Sequence, residues 1–290
     1  MPMRTPAEVI PSDWAHWSHS APTVVKPLSG GLTNRSYLIH ADGELLVLRR
    51  NSPASSQLDL NRMAEAQALR LADRAGLCAP VVYCDPQQRY LVTRFIQGTP
   101  IDANQSPDRE KLAALVREIH RQPTIAAALE IEEKISRYRR AIASHATFAG
   151  ALDTLHRKIE PHMAAAAHLS DGMVLCHNDL QENNLIAGLD GRLYAIDWEY
   201  AASGDAYFDL AVITEDFDWD TSARENFLAN YLQRIPGERE LQRLQHWQHI
   251  YRYLALLWYA VQDCHRDLTG APDRSDSIHR EAETLLRRLY

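Results

Sequence analysis

The pattern of hydrophobic and polar residues changes character near residue 96. Before this point, short apolar runs rich in β-branched and aromatic residues predominate, which is typical of strands. One longer segment, from about Gln57 to Ala75, repeats its apolar residues at helical spacing and is ended by Gly76 and Pro80. The predicted strands are Val24–Leu28, Ser36–His40, Leu45–Arg49, Val81–Tyr83 and Tyr90–Phe95.

After residue 96, apolar residues recur mainly at helical spacing. The predicted helices span about residues 107–121, 130–145, 150–168, 206–214, 222–232, 239–266 and 276–290. Ile96–Pro100 is interpreted as the connector between the two parts. The sequence therefore predicts an α+β protein with a mostly antiparallel β part over residues 1–95 and a helical part over residues 96–290.

Composition and charge narrow the range of partners. The chain has 290 residues, of which 46% are hydrophobic and 24% are charged, as in an ordinary globular protein. Its net charge of −7 argues against a nucleic-acid partner, whose phosphates require a basic face. The first residues lack the apolar segment of a signal peptide, and no run is long enough to span a membrane. The four cysteines form no C-x-x-C pair, so we expect free thiols and a cytoplasmic location.

The segment from His177 to Asn184 carries the main chemical signal, an H-x-D-x-x-x-x-N loop. A hydrophobic run that ends in Asp197 follows shortly afterwards. Phosphoryl transfer from ATP requires one carboxylate that receives a hydroxyl proton, and an amide and a second carboxylate that hold Mg²⁺ against the phosphates. Asp179, Asn184 and Asp197 supply these groups in the required order.

The hairpin between Asn184 and Asp197 can be tested by counting residues. Asp190-Gly191 is typical of a two-residue type I′ turn. A turn centred on these residues places Asn184 directly opposite Asp197, with Cβ atoms about 5 Å apart. The count therefore predicts that both side chains bind one Mg²⁺ ion. The alternative is an ordinary hairpin whose first residue is a capping asparagine.

A second group of residues lies in the β part. Gly30 and Gly31 allow a close approach of backbone N–H groups to a phosphate, and Thr33 and Asn34 add side-chain donors. A plain β-turn is the alternative interpretation of this loop. The Asp42-Gly43 hairpin sets Ser36 opposite Arg49, so that a basic side chain lies beside the strand leaving the loop.

The helix that follows places a carboxylate in an apolar stripe. Leu58, Arg62, Glu65 and Leu69 share one helical face. Burial of Glu65 requires a partner, which Arg49 can supply if the strand phase directs Arg49 rather than Arg50 to this side. The alternative is a surface Glu65 paired within its own helix.

Together these motifs, from about Val25 to Leu210, resemble the kinase-like small-molecule phosphotransferases, which include choline/ethanolamine kinases, thiamine kinases and aminoglycoside phosphotransferases. The resemblance implies a bilobal protein-kinase-like fold with ATP between an N-terminal nucleotide-binding lobe and a helical catalytic, acceptor-binding lobe. It assigns the catalytic base to Asp179, Mg²⁺ to Asn184 and Asp197, and the conserved ion pair of the family to Arg49 and Glu65. Asp197-Trp198-Glu199 replaces the Asp-Phe-Gly of protein kinases, and no Ala-Pro-Glu segment follows, which argues against a protein substrate.

The acceptor is expected to be a small molecule held by aromatic and acidic side chains. Trp247, Tyr251, Leu254 and Trp258 share one helical face, and such a wall suits a cationic group. A core role for this stripe is the alternative, and Asp205 can equally cap the helix that follows it. The candidate acceptor residues are Trp198, Glu199, Asp205 and Trp258.

The sequence thus predicts an ATP- and Mg²⁺-dependent kinase of a small cationic alcohol, with choline, ethanolamine or thiamine as leading acceptors. An aminoglycoside or sugar kinase is the alternative within enzymes. A nucleotide-binding pseudokinase or interaction module is the alternative of another class, but such a module does not need the base. The oligomeric state is left open.

Overall fold

The computed structural model describes residues 9–28, 34–52, 60–142, 149–264 and 275–289. Its N-terminal part contains a five-stranded antiparallel sheet in the order β1-β2-β3-β5-β4, with helix α1 inserted between β3 and β4. A single turn of 3₁₀ helix, Trp14–His16, precedes the sheet. These elements are β1 (Thr23–Leu28), β2 (Arg35–Ala41), β3 (Glu44–Arg50), α1 (Arg62–Arg74), β4 (Val81–Cys84) and β5 (Tyr90–Arg94).

The β2-β3 hairpin has the predicted register. Asp42 and Gly43 adopt φ values of 51° and 85°, as a type I′ turn requires. Ser36 therefore lies opposite Arg49, which confirms the prediction. The start of α1 was predicted too early, because the side chain of Asn61 accepts a hydrogen bond from the N–H of Ala64 and caps the helix there. Leu58 of the predicted stripe lies outside the described residues.

The remaining chain is mainly helical, as predicted. Its long helix α7 packs against α4, α5 and α8 and forms the centre of the larger hydrophobic core. The helices are α2 (Ser106–His120), α3 (Ile131–Ala141), α4 (Ala149–Leu169), α5 (Ala206–Asp216), α6 (Thr221–Leu232), α7 (Glu238–Cys264) and α8 (Ser275–Leu289). The architecture is therefore α+β, with an antiparallel sheet first and helices after it, while the exact division between residues 95 and 96 stays a prediction. Among the described helices, none is both long and apolar enough to span a bilayer.

Two small sheets connect these parts. The segment interpreted as a connector contains β6, which pairs with the hairpin β8-β9, and β7 pairs with β10. Gly98 on β6 is required for this contact, because a Cβ there would lie 2.3 Å from the carbonyl oxygen of Ala187. The strands are β6 (Gly98–Pro100), β7 (Val174–Cys176), β8 (Leu185–Gly188), β9 (Leu193–Ala195) and β10 (Ala202–Gly204).

The β8-β9 hairpin differs from the prediction by one residue. Its loop has three residues, and the N–H of Gly188 donates to the carbonyl of Arg192. Only Gly191 has a positive φ, at 81°, while the Asp190 carboxylate accepts a hydrogen bond from the N–H of Arg192. Leu185 consequently pairs with Ala195, so Asn184 is not directly opposite Asp197 and the predicted register was wrong.

Candidate active site

The predicted base and amide are adjacent in the structure. Asp179 lies on the loop after β7 and is half-buried. The side-chain amide nitrogen of Asn184 donates to the carboxylate of Asp179 over 2.8 Å and to its carbonyl over 2.9 Å. The loop therefore holds Asp179 in one orientation without depending on the predicted cross-strand register.

The buried carboxylate of Asp209 anchors this loop from below. Asp209 on α5 is completely buried and accepts hydrogen bonds from the backbone N–H groups of His177 (2.9 Å) and Asn178 (2.7 Å). The ring of His120 lies 3.1 Å from the same carboxylate. Asn178 has φ = 65°, a left-handed conformation that asparagine tolerates. Asp209 thus fixes the backbone directly before Asp179.

His177 links the predicted catalytic loop to Asp197, the predicted metal ligand. Its Nε2 lies 3.0 Å from the carbonyl oxygen of Ile196, the residue before Asp197. Burial lowers the pKa of His177, which favours a neutral ring that donates from Nε2. Asp197 follows with φ = 61°, and this turn of the backbone ends the extended run of the hairpin. The loop and Asp197 are therefore positioned by the same side chain.

Arg49 bridges the N-terminal sheet and the catalytic hairpin. Its guanidinium lies 2.5 Å from the carboxylate of Glu65 and 2.8 Å from that of Asp197. Arg50 instead donates to the carbonyl of Val9. The predicted strand phase and the pairing of Arg49 with Glu65 are confirmed.

Arg62 extends this contact into a buried network. Its guanidinium binds Glu65 (2.8 Å), Glu199 (3.1 Å) and the side-chain oxygen of Asn34 (2.8 Å). The alternative pairing of Glu65 within its own helix is therefore also present, but it is buried and not on the surface. Arg62 shared a predicted stripe with Glu65, and this was the only sequence signal for its role.

Asn34, predicted as a phosphate donor, is hydrogen-bonded within the protein. Its amide nitrogen donates to Glu199 over 2.7 Å, and its oxygen accepts from Arg62 and from the N–H of Ser52. Both ends of the amide are thus used to join the sheet to the helical part. The predicted phosphate-binding residues Gly30, Gly31 and Thr33 lie outside the described residues.

Several carboxylates and two guanidinium groups lie close together at this site. The carboxylates of Glu65, Asp197 and Glu199 share the guanidinium groups of Arg49 and Arg62. Burial, together with the charges of Asp197 and Glu199, raises the pKa of Asp179. Burial also raises the pKa of Asp197 although Arg49 opposes it, whereas Arg49 and Arg62 outweigh burial and lower the pKa of Glu65.

The donor set fits a magnesium ion. Because Asn184 donates to Asp179 through its nitrogen, its amide oxygen remains as a ligand. The side chain of Asp197 keeps 27% of its surface exposed, although Arg49 covers one side. Hard oxygen ligands, at least one of them a carboxylate, are what Mg²⁺ requires.

Two of the predicted acceptor residues are structural. Trp198 is 1% exposed, donates to the carbonyl of Ala195 and packs against the ring of His177, so it lies in the core. Asp205 caps α5 by accepting from the N–H of Tyr207, and it forms a buried ion pair with Arg243. The prediction that both contact the acceptor is corrected in favour of the capping alternative for Asp205.

A cavity of about 180 Å³ lies beside Glu199. The cavity is also lined by Tyr200, Glu130 and Lys134. Trp258 does not line the cavity, but its indole N–H donates to the hydroxyl of Tyr200 over 3.2 Å. Trp247 and Leu254 of the same stripe are buried in the core, as the alternative interpretation held. Sequence reasoning missed Lys134, because no motif connected helix α3 with the catalytic loop.

Comparison with known proteins identifies relatives of this chain. Protein LicA of Haemophilus influenzae is 26% identical over 271 residues, covering 88% of this chain and 79% of LicA. A thiamine kinase of Salmonella paratyphi B is 28% identical over 192 residues, or 64% of each chain. The crystal structure of choline kinase LicA from Streptococcus pneumoniae has the same fold, with a TM-score of 0.77, 21% identity and coverage of 95% of this chain and 96% of that one.

The sequence profile of the phosphotransferase enzyme family matches residues 24–247. This range contains every catalytic and ion-pairing residue described above. Because the match covers well over half of the chain, the protein belongs to the phosphotransferase enzyme family.

Proposed function

We propose that this protein transfers the γ-phosphoryl group of ATP to the hydroxyl of a small cationic alcohol. The observation that carries the proposal is the catalytic loop, in which Asp179 is held by Asn184 while Arg49 reaches Asp197 from the N-terminal sheet. A binding module would have no use for a carboxylate fixed in this way beside the metal-binding residues. The presence of all these groups therefore favours an enzyme over a pseudokinase.

Each side chain has a defined role in this reaction. Asp179 orients the acceptor hydroxyl and receives its proton as the new bond to phosphorus forms. Asn184 and Asp197 would hold Mg²⁺, which when bound neutralises charge on the phosphates. Arg49 offers a planar guanidinium to phosphate oxygens, and Glu65 keeps it in place.

ATP is supported as the donor by the fold neighbours. LicA, whose structure matches with a TM-score of 0.77, was solved in complex with AMP. We propose that the nucleotide lies between residues 1–95 and 96–290, beside Arg49, and that the enzyme acts in the cytoplasm, where ATP is available.

A cationic acceptor is supported by the relatives and by the cavity. Choline kinase and thiamine kinase act on alcohols that carry a permanent positive charge. The cavity is lined by Tyr200, by three acidic residues (Glu130, Glu133 and Glu199) and by two basic ones (Lys134 and Arg137). Carboxylates and aromatic faces attract a cation without many hydrogen bonds. Choline, ethanolamine and thiamine are therefore the leading acceptors.

The test is phosphorylation across a panel of choline, ethanolamine, thiamine, aminoglycosides and neutral sugars. We expect product with at least one cationic alcohol, and a loss of about 100-fold or more in kcat for Asp179→Ala with ATP binding retained. Glu182→Ala removes an exposed carboxylate from the same loop and serves as the control. Faster turnover of a neutral sugar than of any cationic alcohol would show that the acceptor is not a cationic alcohol. Normal turnover by Asp179→Ala would contradict the mechanism.

A further inference from the structure

Lys134 occupies a position that a bound cation would take. Its ammonium lies 5.4 Å from the ring centroid of Tyr138 and 5.4 Å from that of Tyr200. Both distances are within the range of about 6 Å in which a cation is attracted to an aromatic face. The half-buried lysine therefore lies close to two rings at once, one on its own helix and one beside the catalytic loop.

The ring of Tyr200 belongs to the active-site framework. Its backbone carbonyl accepts a hydrogen bond from the side chain of Asn178, directly before Asp179. Its hydroxyl accepts from Trp258, and Tyr138 is buried, so neither ring is free to move far. Lys134, Tyr200, Glu199 and Glu130 line the same cavity. The Lys134 ammonium thus marks a cation position between two rings, one of which is hydrogen-bonded through its backbone to the residue before the base.

We propose that Lys134 is an internal competitor of the acceptor, whose ammonium fills the acceptor's cation site until a cationic alcohol displaces it. The proposal rests on the proposed function, since it concerns the same cavity. Exchange of one cation for another keeps the charge beside Glu199 balanced. A neutral alcohol cannot make this exchange and leaves Lys134 in place.

The exchange has a measurable cost for every cationic ligand. A cationic ligand must first displace the ammonium of Lys134 from two aromatic faces. Substitution of Lys134 by a neutral residue should therefore increase the affinity for all cationic ligands by the same factor. Cation–π contacts of about 0.5 to 2 kcal/mol correspond to roughly 2- to 30-fold in affinity. A lysine that instead forms part of the binding wall would give the opposite result, because its removal would weaken binding.

The test measures tetramethylammonium binding by calorimetric titration at constant ionic strength. Lys134→Met should bind this ion at least twofold more tightly than the unsubstituted protein, whereas Lys134→Arg, which keeps a cation on the rings, should not. Arg140→Met removes the same charge from an exposed position of α3 and should leave the affinity unchanged. Weaker or equal binding by Lys134→Met, with the fold intact by circular dichroism, would overturn the proposal.

A neutral isostere of choline, 3,3-dimethyl-1-butanol, separates displacement from a general widening of the cavity. Its affinity should be the same in the unsubstituted protein and in Lys134→Met. Equal tightening of the neutral and the cationic compound would refute displacement. Because these titrations need no turnover, they succeed or fail independently of the panel: tighter tetramethylammonium binding without phosphorylation of any cationic alcohol would remove only the proposed function.

Discussion

Asp209→Asn tests whether the buried carboxylate holds the catalytic loop. The substitution keeps the size of the side chain but replaces one oxygen by an NH₂ group. If the remaining oxygen still accepts from Asn178, the new NH₂ faces the backbone N–H of His177. A backbone N–H can only donate, so this buried donor loses its partner.

The expected loss of stability follows from these contacts. An unsatisfied buried donor costs about 1 to 3 kcal/mol. The same NH₂ also replaces the oxygen that lies 3.1 Å from His120, and the hydrogen bond from Asn178 loses its charged acceptor, which both add to this cost. We therefore expect the free energy of unfolding to fall by about 3 kcal/mol, which for a chain of this size lowers the melting temperature by roughly 6 °C. A displacement of Asp179 should also reduce kcat by about tenfold or more.

Asp216→Asn is the matched control on the same helix. Asp216 is exposed and also accepts a hydrogen bond from the loop, through the N–H of Glu182. Water can replace that contact, so the free energy of unfolding should change by less than about 1 kcal/mol. Urea unfolding and kcat with saturating ATP are measured for both variants. Equal stability of Asp209→Asn and the unsubstituted protein would refute the anchoring role.

Two further predictions concern the metal and the pH dependence of stability. Asp197→Asn should raise the Mg²⁺ concentration for half-maximal activity, because an amide binds a hard cation less well than a carboxylate. The control Asp190→Asn, on the same hairpin, should leave this concentration unchanged. An unchanged Mg²⁺ titration for Asp197→Asn would exclude Asp197 as a ligand. Hydrogen bonds from the backbone of His19 and from Ser20 lower the pKa of Asp42 to about 2, below its ordinary value of 3.8. The ionised carboxylate therefore stabilises the fold above about pH 4, and this contribution is lost as the pH falls towards 2. The melting temperature of Asp42→Asn should therefore lie below that of the unsubstituted protein at neutral pH and approach it near pH 2; a difference that does not depend on pH would contradict this assignment.

The two Asp-Gly turns show when counting residues from a turn predicts the hairpin register correctly and when it does not. At Asp42-Gly43 both residues take positive φ, the register is as predicted, and Arg49 reaches Glu65. At Asp190-Gly191 the same dipeptide forms a three-residue loop, because Asp190 binds the N–H of Arg192 and the hydroxyl of Tyr194 instead. Local sequence offers both turns, and side-chain contacts decide between them.

The candidate catalytic residues could be proposed from the sequence because their chemistry requires a fixed order along the chain. The cavity beside Glu199 could not be predicted, because Lys134 and Tyr200 are brought together only by the packing of α3 against the region after Asp197. An aromatic stripe such as Trp247 to Trp258 has the same spacing in a core helix as in a binding wall. Periodicity alone therefore could not separate these two cases.

The strand β6 has a mechanical consequence for the enzyme. The only covalent path from the N-terminal sheet to the helices passes through residues 96–100, and β6 there is paired with β8, directly after Asn184. Gly98 pairs with Gly188 and lies too close to the carbonyl oxygen of Ala187 for any side chain, and the N–H of Leu189 donates to the carbonyl of Gln97. A rotation of the sheet about this segment must either break these bonds or pull β8 with it. The connector is therefore not a free hinge: movement of the N-terminal sheet, which we propose as the ATP-binding side, is transmitted directly to the strand that follows Asn184, a proposed magnesium ligand.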